Sequence, residues 1–524
     1  MARVLVTEKI ASSGLDALRA AGYEVDLALS LSPDELLDRI GGAHAIIIRS
    51  ATQVTAEVIE AGRDLVVIGR AGIGLDNVDV DAATRQGVMV VNAPQSNVVS
   101  AAEHTIALLL AQARNIPQAH SALLDGRWER SHWQGVELAE KTLGIVGFGR
   151  IGKLVAERAR GLQMRVIAAD PFVSADAVRQ SGAELVLLKD LMAESDFVTV
   201  HLPKNAETTG LIDRSLLSLA KPTMRLINVA RGGIVDEHDL AECLKEGIIA
   251  GAALDVFAAE PTLDSPLFGL DSVVVTPHLG ASTHEAQHKA GTGIVEMVKL
   301  ALAGEVVPWA VNLSATEVSE TVRPFVPLAE TLGRIFGSFI ERAPSTLTVA
   351  CEGEIASDDT RIIGLAVTKG ILARTRDEPV SYVNAPRLAR QQGMSLAMTA
   401  TTASDNYVNL IRVSDGESHS VAGTLVGRSG EFRVVEINGH GIDMPSADHL
   451  VVITNDNRPG VIGRVGTVLG DAEINIDDMD VGRLNTHGSD TAMMVLSTSN
   501  PVSDETTAAL AQAPGVLSVN VIES

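Results

Sequence analysis

From residue 2 to about residue 280, short runs of Val, Ile and Leu alternate with Ala/Leu/Glu segments whose apolar positions recur at helical spacing. Unbroken apolar runs of that length suit strands buried on both faces, and strands alternating with helices predict repeated βαβ units around parallel sheets. RVLVTE, YEVDLAL, HAIIIRS and DLVVIGRAG predict the first four strands. Between the second and third, Ser32-Pro33-Asp34-Glu35 supplies an N-cap hydroxyl, a proline at the first helical position and a capping-box glutamate, so a helix starts there. A long Ala/Leu helix from about Asn97 to Arg114 leads to a second series: TLGIVGF, RVIAAD, DFVTVHLP, MRLINVA, IAGAALDVF and SVVVTPH. The pattern predicts two doubly wound parallel sheets joined by a helix. A further helix from roughly Thr283 to Ala303 and a short extended segment, PWAVN, then return the chain to the first sheet.

From about Ser314 the texture changes. Residues 314–447 carry strand-like runs (TLTVACEGEI, NYVNLIRV, SHSVAGTLV, EFRVVEING) mixed with one or two helices, an α+β pattern without a catalytic signature. Residues 448–524 read as β-α-β-β-α-β, a ferredoxin-like sandwich of the size used for small-molecule sensing. The division expected from these breaks is 1–97 with 287–313, 98–286, 314–447 and 448–524.

Composition narrows the functional classes. With 46% hydrophobic but only 3% aromatic residues, the cores must be aliphatic, and a net charge of −24 makes nucleic acid and membrane surfaces poor partners. An anionic substrate would need a local group of arginines. Two cysteines are too few for a disulfide scaffold and lack metal-site spacing, and no uncharged apolar run approaches ~18 residues. A soluble, cytoplasmic, metal-free protein is expected.

Gly147-Phe148-Gly149-Arg150-Ile151-Gly152 directly follows a predicted strand and opens a predicted helix, the context in which a Gly-x-Gly-x-x-Gly turn cradles a pyrophosphate. The next strand ends in Asp170, whose carboxylate would bind both ribose hydroxyls and repel a 2′-phosphate, arguing for NAD over NADP. Arg231, Glu260 and His278 each follow a strand of the second series, where open α/β sheets bind ligands. A neutral imidazole can take a hydroxyl proton, a carboxylate can orient it and a guanidinium can fork onto a substrate carboxylate. Singly, each has an ordinary explanation: Arg231 bridging to Asp236 or Glu237, Glu260 as a turn residue before Pro261, His278 as a satisfied histidine. Jointly, they point to one cleft.

The series GFGRIG, NVARGGIVDE, ALDVFAAEP and TPHLGAST resembles, in order and spacing, the D-isomer-specific 2-hydroxyacid dehydrogenases. RSATQVT, GRAGIGLDNVD and the long tail resemble the branch of that family that acts on a phosphorylated 2-hydroxy acid. The resemblance implies Rossmann-like substrate and NAD domains, and NAD-dependent oxidation of 3-phospho-D-glycerate to 3-phosphohydroxypyruvate, the first step of L-serine biosynthesis. It implies catalytic roles for Arg231, Glu260 and His278, and cofactor contacts from Gly147, Gly149, Arg150, Ile151, Gly152, Asp170 and Asp255, the last facing the nicotinamide amide. Substrate would be held by Arg49, Ser50 and Arg231, with Arg130 reaching a neighbouring subunit's site in a homotetramer. Residues 448–524 resemble an ACT domain, in which Asn455, Asn457 and Asn475 would bind an L-serine effector across a dimer interface. An aspartate is common in serine-sensing relatives where this chain has Asn457. Residues 314–447 resemble an intervening domain with an anion site, to which Arg428 and Arg433 could contribute. The rival readings are a dehydrogenase for another D-2-hydroxy acid and a non-catalytic NAD-sensing protein.

Overall fold

The computed structural model describes residues 1–313, 318–340, 342, 344–373, 380–404, 406–416, 419–427, 430–445, 447–483 and 491–523. Its first sheet has five parallel strands in the spatial order Glu24–Leu27, Arg3–Val6, Ala45–Ile48, Val67–Arg70 and Met89–Asn92. Ala45–Ile48 is buried at all four positions, as its unbroken apolar run requires. The Ser32 side chain accepts from the Glu35 N–H and the Glu35 side chain accepts from the Ser32 N–H, a complete capping box at the start of helix Pro33–Ile40.

Helix Val98–Arg114 crosses to a seven-stranded parallel sheet ordered Val273–Val275, Gly251–Leu254, Arg225–Asn228, Phe197–Val200, Thr142–Val146, Arg165–Ala169 and Glu184–Leu185. The order reverses between Thr142–Val146 and Phe197–Val200, which opens a ligand crevice at the strands' carboxyl ends. Helix His284–Leu302, capped by the Thr283 hydroxyl, packs back on the first sheet. Beyond it Val311 N–H donates to Val90 O, and the Asn312 amide bonds to the backbone of Val88 and Val90, so PWAVN adds an antiparallel rim to strand Met89–Asn92.

A third, six-stranded sheet runs Ser395–Thr401, Thr346–Gly353, Asn409–Ser414, Ser420–Val426, Glu431–Ile437 and His440–Pro445; only the first pair is parallel. Helices Phe325–Phe339 and Arg361–Ala373 approach closely because Gly333 meets the Val367 backbone and Gly370 meets that of Glu330. A Cβ at either glycine would drive the helices apart. This unit docks on the first through Ser381 Oγ donating to Gly87 O and Arg387 donating to Arg85 O. The last sheet is antiparallel, ordered Ile476–Arg483, Thr491–Thr498, His449–Asp456 and Val516–Glu523, and carries helices Val461–Asp471 and Asp504–Gln512. Three α-helices, not one or two, occupy 318–447 among the described residues, the third being Ala385–Gln391, beside a short 3-10 turn at Glu354–Ser357.

Candidate active site

The dinucleotide turn has the shape its glycines predict. Gly147 lies at φ +92°, and a Cβ there would meet the His201 carbonyl at 2.6 Å, while one at Gly152 would run into Gly147 O. Gly149 faces open space, and helix Arg150–Gly161 begins there with no side-chain cap, leaving its first N–H groups to a ligand. Asp170 closes the site. Its Oδ2 accepts from Phe148 N–H at 2.8 Å and its Oδ1 from Phe172 N–H at 2.9 Å, which leaves about two of its four acceptor positions for ribose hydroxyls. This cradle fits NAD. Arg150 extends from it to the first unit, donating to Pro94 O at 3.2 Å, while Ile151 is half-buried against the core beneath.

Farther along the same sheet, the strand ends face the first sheet across a cavity of about 730 Å³. Arg49, Ser50, Arg231, Glu260 and His278 all line it. His278 Nδ1 lies 2.6 Å from Glu260 Oε2, and Glu260 Oε1 accepts from Phe257 N–H at 2.8 Å. Burial pushes Glu260 up, but the bonds from His278 and Phe257 outweigh it and hold the carboxyl below its ordinary range. The carboxylate therefore stays ionised behind the imidazole. His278 itself sits at φ +56°, in the left-handed region that histidine adopts only when its turn is held.

Arg231 does not bridge to Asp236 or Glu237. Its Nε lies 3.4 Å from Asp76, a long pair with a largely exposed carboxylate that a substrate carboxylate can exchange for. Its Nη1 donates to Ala230 O at 2.7 Å, and Asn228, accepting from Ala230 N–H and donating to Arg231 O, shapes the turn.

On the opposite wall, Glu8 accepts from the N–H groups of Arg49, Ala51 and Thr52, while the Asn77 amide donates to the carbonyls of Arg49 and Thr52. Both edges of the loop are thus fixed, and Arg49 is presented from a rigid platform.

Arg70, which none of the linear motifs singled out, ends strand Val67–Arg70 and lines the same cavity. Its Nε is buried without a partner, and burial, aided by the charges of Arg231 and Arg49, pushes its pKa down to about 10. Gly72 and Gly74 explain themselves here: a Cβ on the first would collide with the Arg70 guanidinium and one on the second with that of Arg231. The signal was present, since Arg70 stands at a strand's carboxyl end in the motif GRAGIG, as Arg49 does in HAIIIRS.

Three family models divide the chain: the NAD binding domain of D-isomer specific 2-hydroxyacid dehydrogenases over 106–280, the D-3-phosphoglycerate dehydrogenase intervening domain over 321–438 and the ACT domain over 449–515. The D-3-phosphoglycerate dehydrogenase of Mycobacterium tuberculosis is 43% identical over 526 residues, 99% of each chain. That of Mycobacterium leprae is 46% identical over 479 residues, 90% of each. The chain belongs to the D-3-phosphoglycerate dehydrogenase family. Among solved structures, a protein from Thermus thermophilus matches with a TM-score of 0.55 at 35% identity, covering 59% of this chain and 99% of its own. The family assignment makes the chain an NAD-dependent oxidoreductase, and the nucleotide turn of its NAD-binding domain is the one just described.

Two of the expected positions, Asp255 and Arg130, are not among the residues lining this cavity. Asp255 does not open onto the cleft: it is 0% exposed, and its oxygens accept from Leu279 and Gly280 N–H, Thr276 Oγ1 and the His104 ring. Three of those bonds fall on Oδ1 and one on Oδ2, so the carboxylate holds the turn that follows strand Val273–Val275. Burial pushes Asp255 up, yet the bonds from His104, Thr276 and the two amides hold it low. Arg130, expected to reach a neighbouring subunit's site and not this one, is exposed on the loop after helix Ile116–Leu124, near the exposed Trp128.

In the ACT unit, Asn455 is buried at the end of strand His449–Asp456 with Oδ1 unpaired, whereas Asn475 is exposed and donates to Asp477. Asn455 pairs opposite Ala492, and Ile476 opposite Thr498, so the two asparagines lie at opposite ends of the sheet, about 20 Å apart at ~3.4 Å per residue. One chain does not bring them together. Asn457 is exposed in the following loop. Arg433 is paired weakly with Glu431 and Asp443, and Arg428 lies outside the described residues. No described helix is long and apolar enough to cross a membrane, and no cluster of metal-ligating side chains occurs among the described residues.

Proposed function

We propose that this chain oxidises 3-phospho-D-glycerate to 3-phosphohydroxypyruvate, the step that commits carbon to L-serine. The observation that carries the reading is the His278–Glu260 dyad facing Arg49, Arg70 and Arg231 across one cavity. Arg231 forks onto the substrate carboxylate, and Arg49 and Arg70 receive the phosphate, which concentrates positive charge locally on a molecule of net charge −24. Bound NAD supplies the hydride acceptor. His278 Nε2 takes the C2 hydroxyl proton, while Glu260 holds Nδ1 and stabilises the imidazolium. Gly147, Gly149, Arg150, Ile151, Gly152 and Asp170 hold the dinucleotide.

We assign residues 1–97 with 287–313 to substrate binding, 98–286 to NAD, 314–447 to an intervening regulatory role and 448–524 to an effector-binding ACT role. The effector site proposed for L-serine joins Asn455 and Asn457 of one chain to Asn475 of a second, within a cytoplasmic tetramer. Initial-rate NADH formation from 3-phosphoglycerate, with and without L-serine, tests the whole reading. Turnover that requires His278 supports it; near-normal turnover in His278→Ala, or tight NAD binding without turnover in the unaltered enzyme, overturns it.

A further inference from the structure

We propose that His104 is a positioning residue of the reaction, acting through Asp255 and Thr276 to hold the turn that presents His278. The proposal rests on the catalytic reading of His278 given above.

The turn 276–280 is held through one residue, Asp255, by both its main chain and its side chain. Asp255 O accepts from His278 N–H at 2.8 Å, Oδ1 accepts from Leu279 N–H at 2.7 Å and Oδ2 from Gly280 N–H at 2.8 Å. Three successive amides therefore converge on Asp255, and the residue at the head of the turn is His278 at φ +56°. A buried carboxylate keeps such a geometry only if its own position is fixed. Thr276 Oγ1 fixes it from the turn side at 2.6 Å, and His104 Nε2, 3.2 Å from Asp255 Oδ1 and 3.1 Å from Thr276 Oγ1, fixes both from helix Val98–Arg114. Nε2–H as the donor satisfies both distances with a neutral ring, because the threonine hydroxyl gives its proton to the carboxylate. The helix that carries His104 begins at the crossing between the two parallel sheets, and its Ser100 meets Thr283 at 2.8 Å where the chain crosses back. The imidazole thus ties the orientation of the proton acceptor to the segment that sets how the two halves of the cleft stand.

The test uses the full-length enzyme with His104→Leu, His104→Gln, Thr276→Val and, in parallel, His278→Ala. The expected result for His104→Leu is a kcat reduced tenfold or more with KM for NAD and for 3-phosphoglycerate within threefold. His104→Gln, which keeps a donor at similar reach, should recover most of the loss. Unchanged kcat in a folded His104→Leu enzyme overturns the proposal. So does a loss carried by KM for NAD, which would make Asp255 a cofactor contact after all. If His104→Leu does not fold, Thr276→Val carries the same expectation and the same refutation. Normal turnover in His278→Ala would overturn the underlying reading, whereas loss there beside a fully active His104→Leu overturns only this proposal.

Discussion

Replacing Arg70 by glutamine separates what it takes to assemble the anion end of the cleft from what is gained by filling it. In the protein alone, burial and the neighbouring charges of Arg231 and Arg49 lower the Arg70 pKa from its ordinary arginine value to about 10. At ~1.4 kcal/mol per unit, the charged guanidinium carries a penalty on the order of 3 kcal/mol. The sign is clear: a base whose folded pKa is depressed destabilises the fold at every pH below that value, and deprotonation relieves it only near pH 10. Removing the charge should leave the melting temperature of the free enzyme unchanged or raised. Substrate binding should suffer in the opposite direction. Losing a hydrogen bond to a charged group removes roughly 1.5–3 kcal/mol, which is about a 10- to 150-fold rise in KM. If the phosphate is the group received, kcat/KM for 3-phosphoglycerate should fall toward that for D-glycerate, which lacks it. The assay is NADH absorbance with both substrates, beside thermal melts of the free enzyme. An Arg70→Gln enzyme with unchanged KM and a lower melting temperature would refute the reasoning, because Arg70 would then be a structural residue.

Other outcomes follow from the same geometry. Asp170→Ala should relax the preference for NAD over NADP, measured as the ratio of kcat/KM for the two; an unchanged ratio would count against the ribose role. Gly232→Ala would push a Cβ into the Phe257 carbonyl and the Ala258 amide, backbone atoms that cannot step aside. Overpacking of ~1–3 kcal/mol there should disturb Arg231 and the Glu260 loop together, lowering kcat/KM on the order of tenfold or more. Ser32→Ala removes the N-cap of helix Pro33–Ile40 far from the cleft; amide exchange at Glu35 should quicken about fivefold, the equivalent of ~1 kcal/mol, with activity unaltered. Because the bonds from His278 and Phe257 hold Glu260 below the usual carboxylate range, Glu260→Gln should lower kcat at every pH above that range; a kcat that matches the unaltered enzyme at neutral pH would count against an ionised carboxylate behind the imidazole.

Most of the parallel framework was legible because buried strands leave continuous apolar runs and helices announce their starts. Thr283 and Asn97 flank helices His284–Leu302 and Val98–Arg114 where the sequence puts them. Strands that failed to register are short or peripheral. Met89–Asn92 has four residues following directly on a helix and its Gly87 cap, Glu184–Leu185 has two, and Ser395–Thr401 is an exposed edge with little to bury. Strand His440–Pro445 was readable in principle, since Asn438-Gly439, both at positive φ, make the two-residue turn that joins it to Glu431–Ile437. At the site, residues at strand ends could be read from linear spacing, which is how Arg49, Arg231 and His278 were found. Glu8, Asn77 and His104 could not. They act through backbone amides or through another side chain tens of residues away, and only the folded sheets bring those partners within bonding distance.

The separation of Asn455 from Asn475 along the ACT sheet has a consequence for how the enzyme would behave in the test tube. The His278–Glu260 dyad and the arginines facing it all come from one chain, whereas an effector pocket drawing on both asparagines requires two. Catalysis and feedback then scale differently with enzyme concentration, and progressive dilution should abolish the response to the effector while specific activity persists.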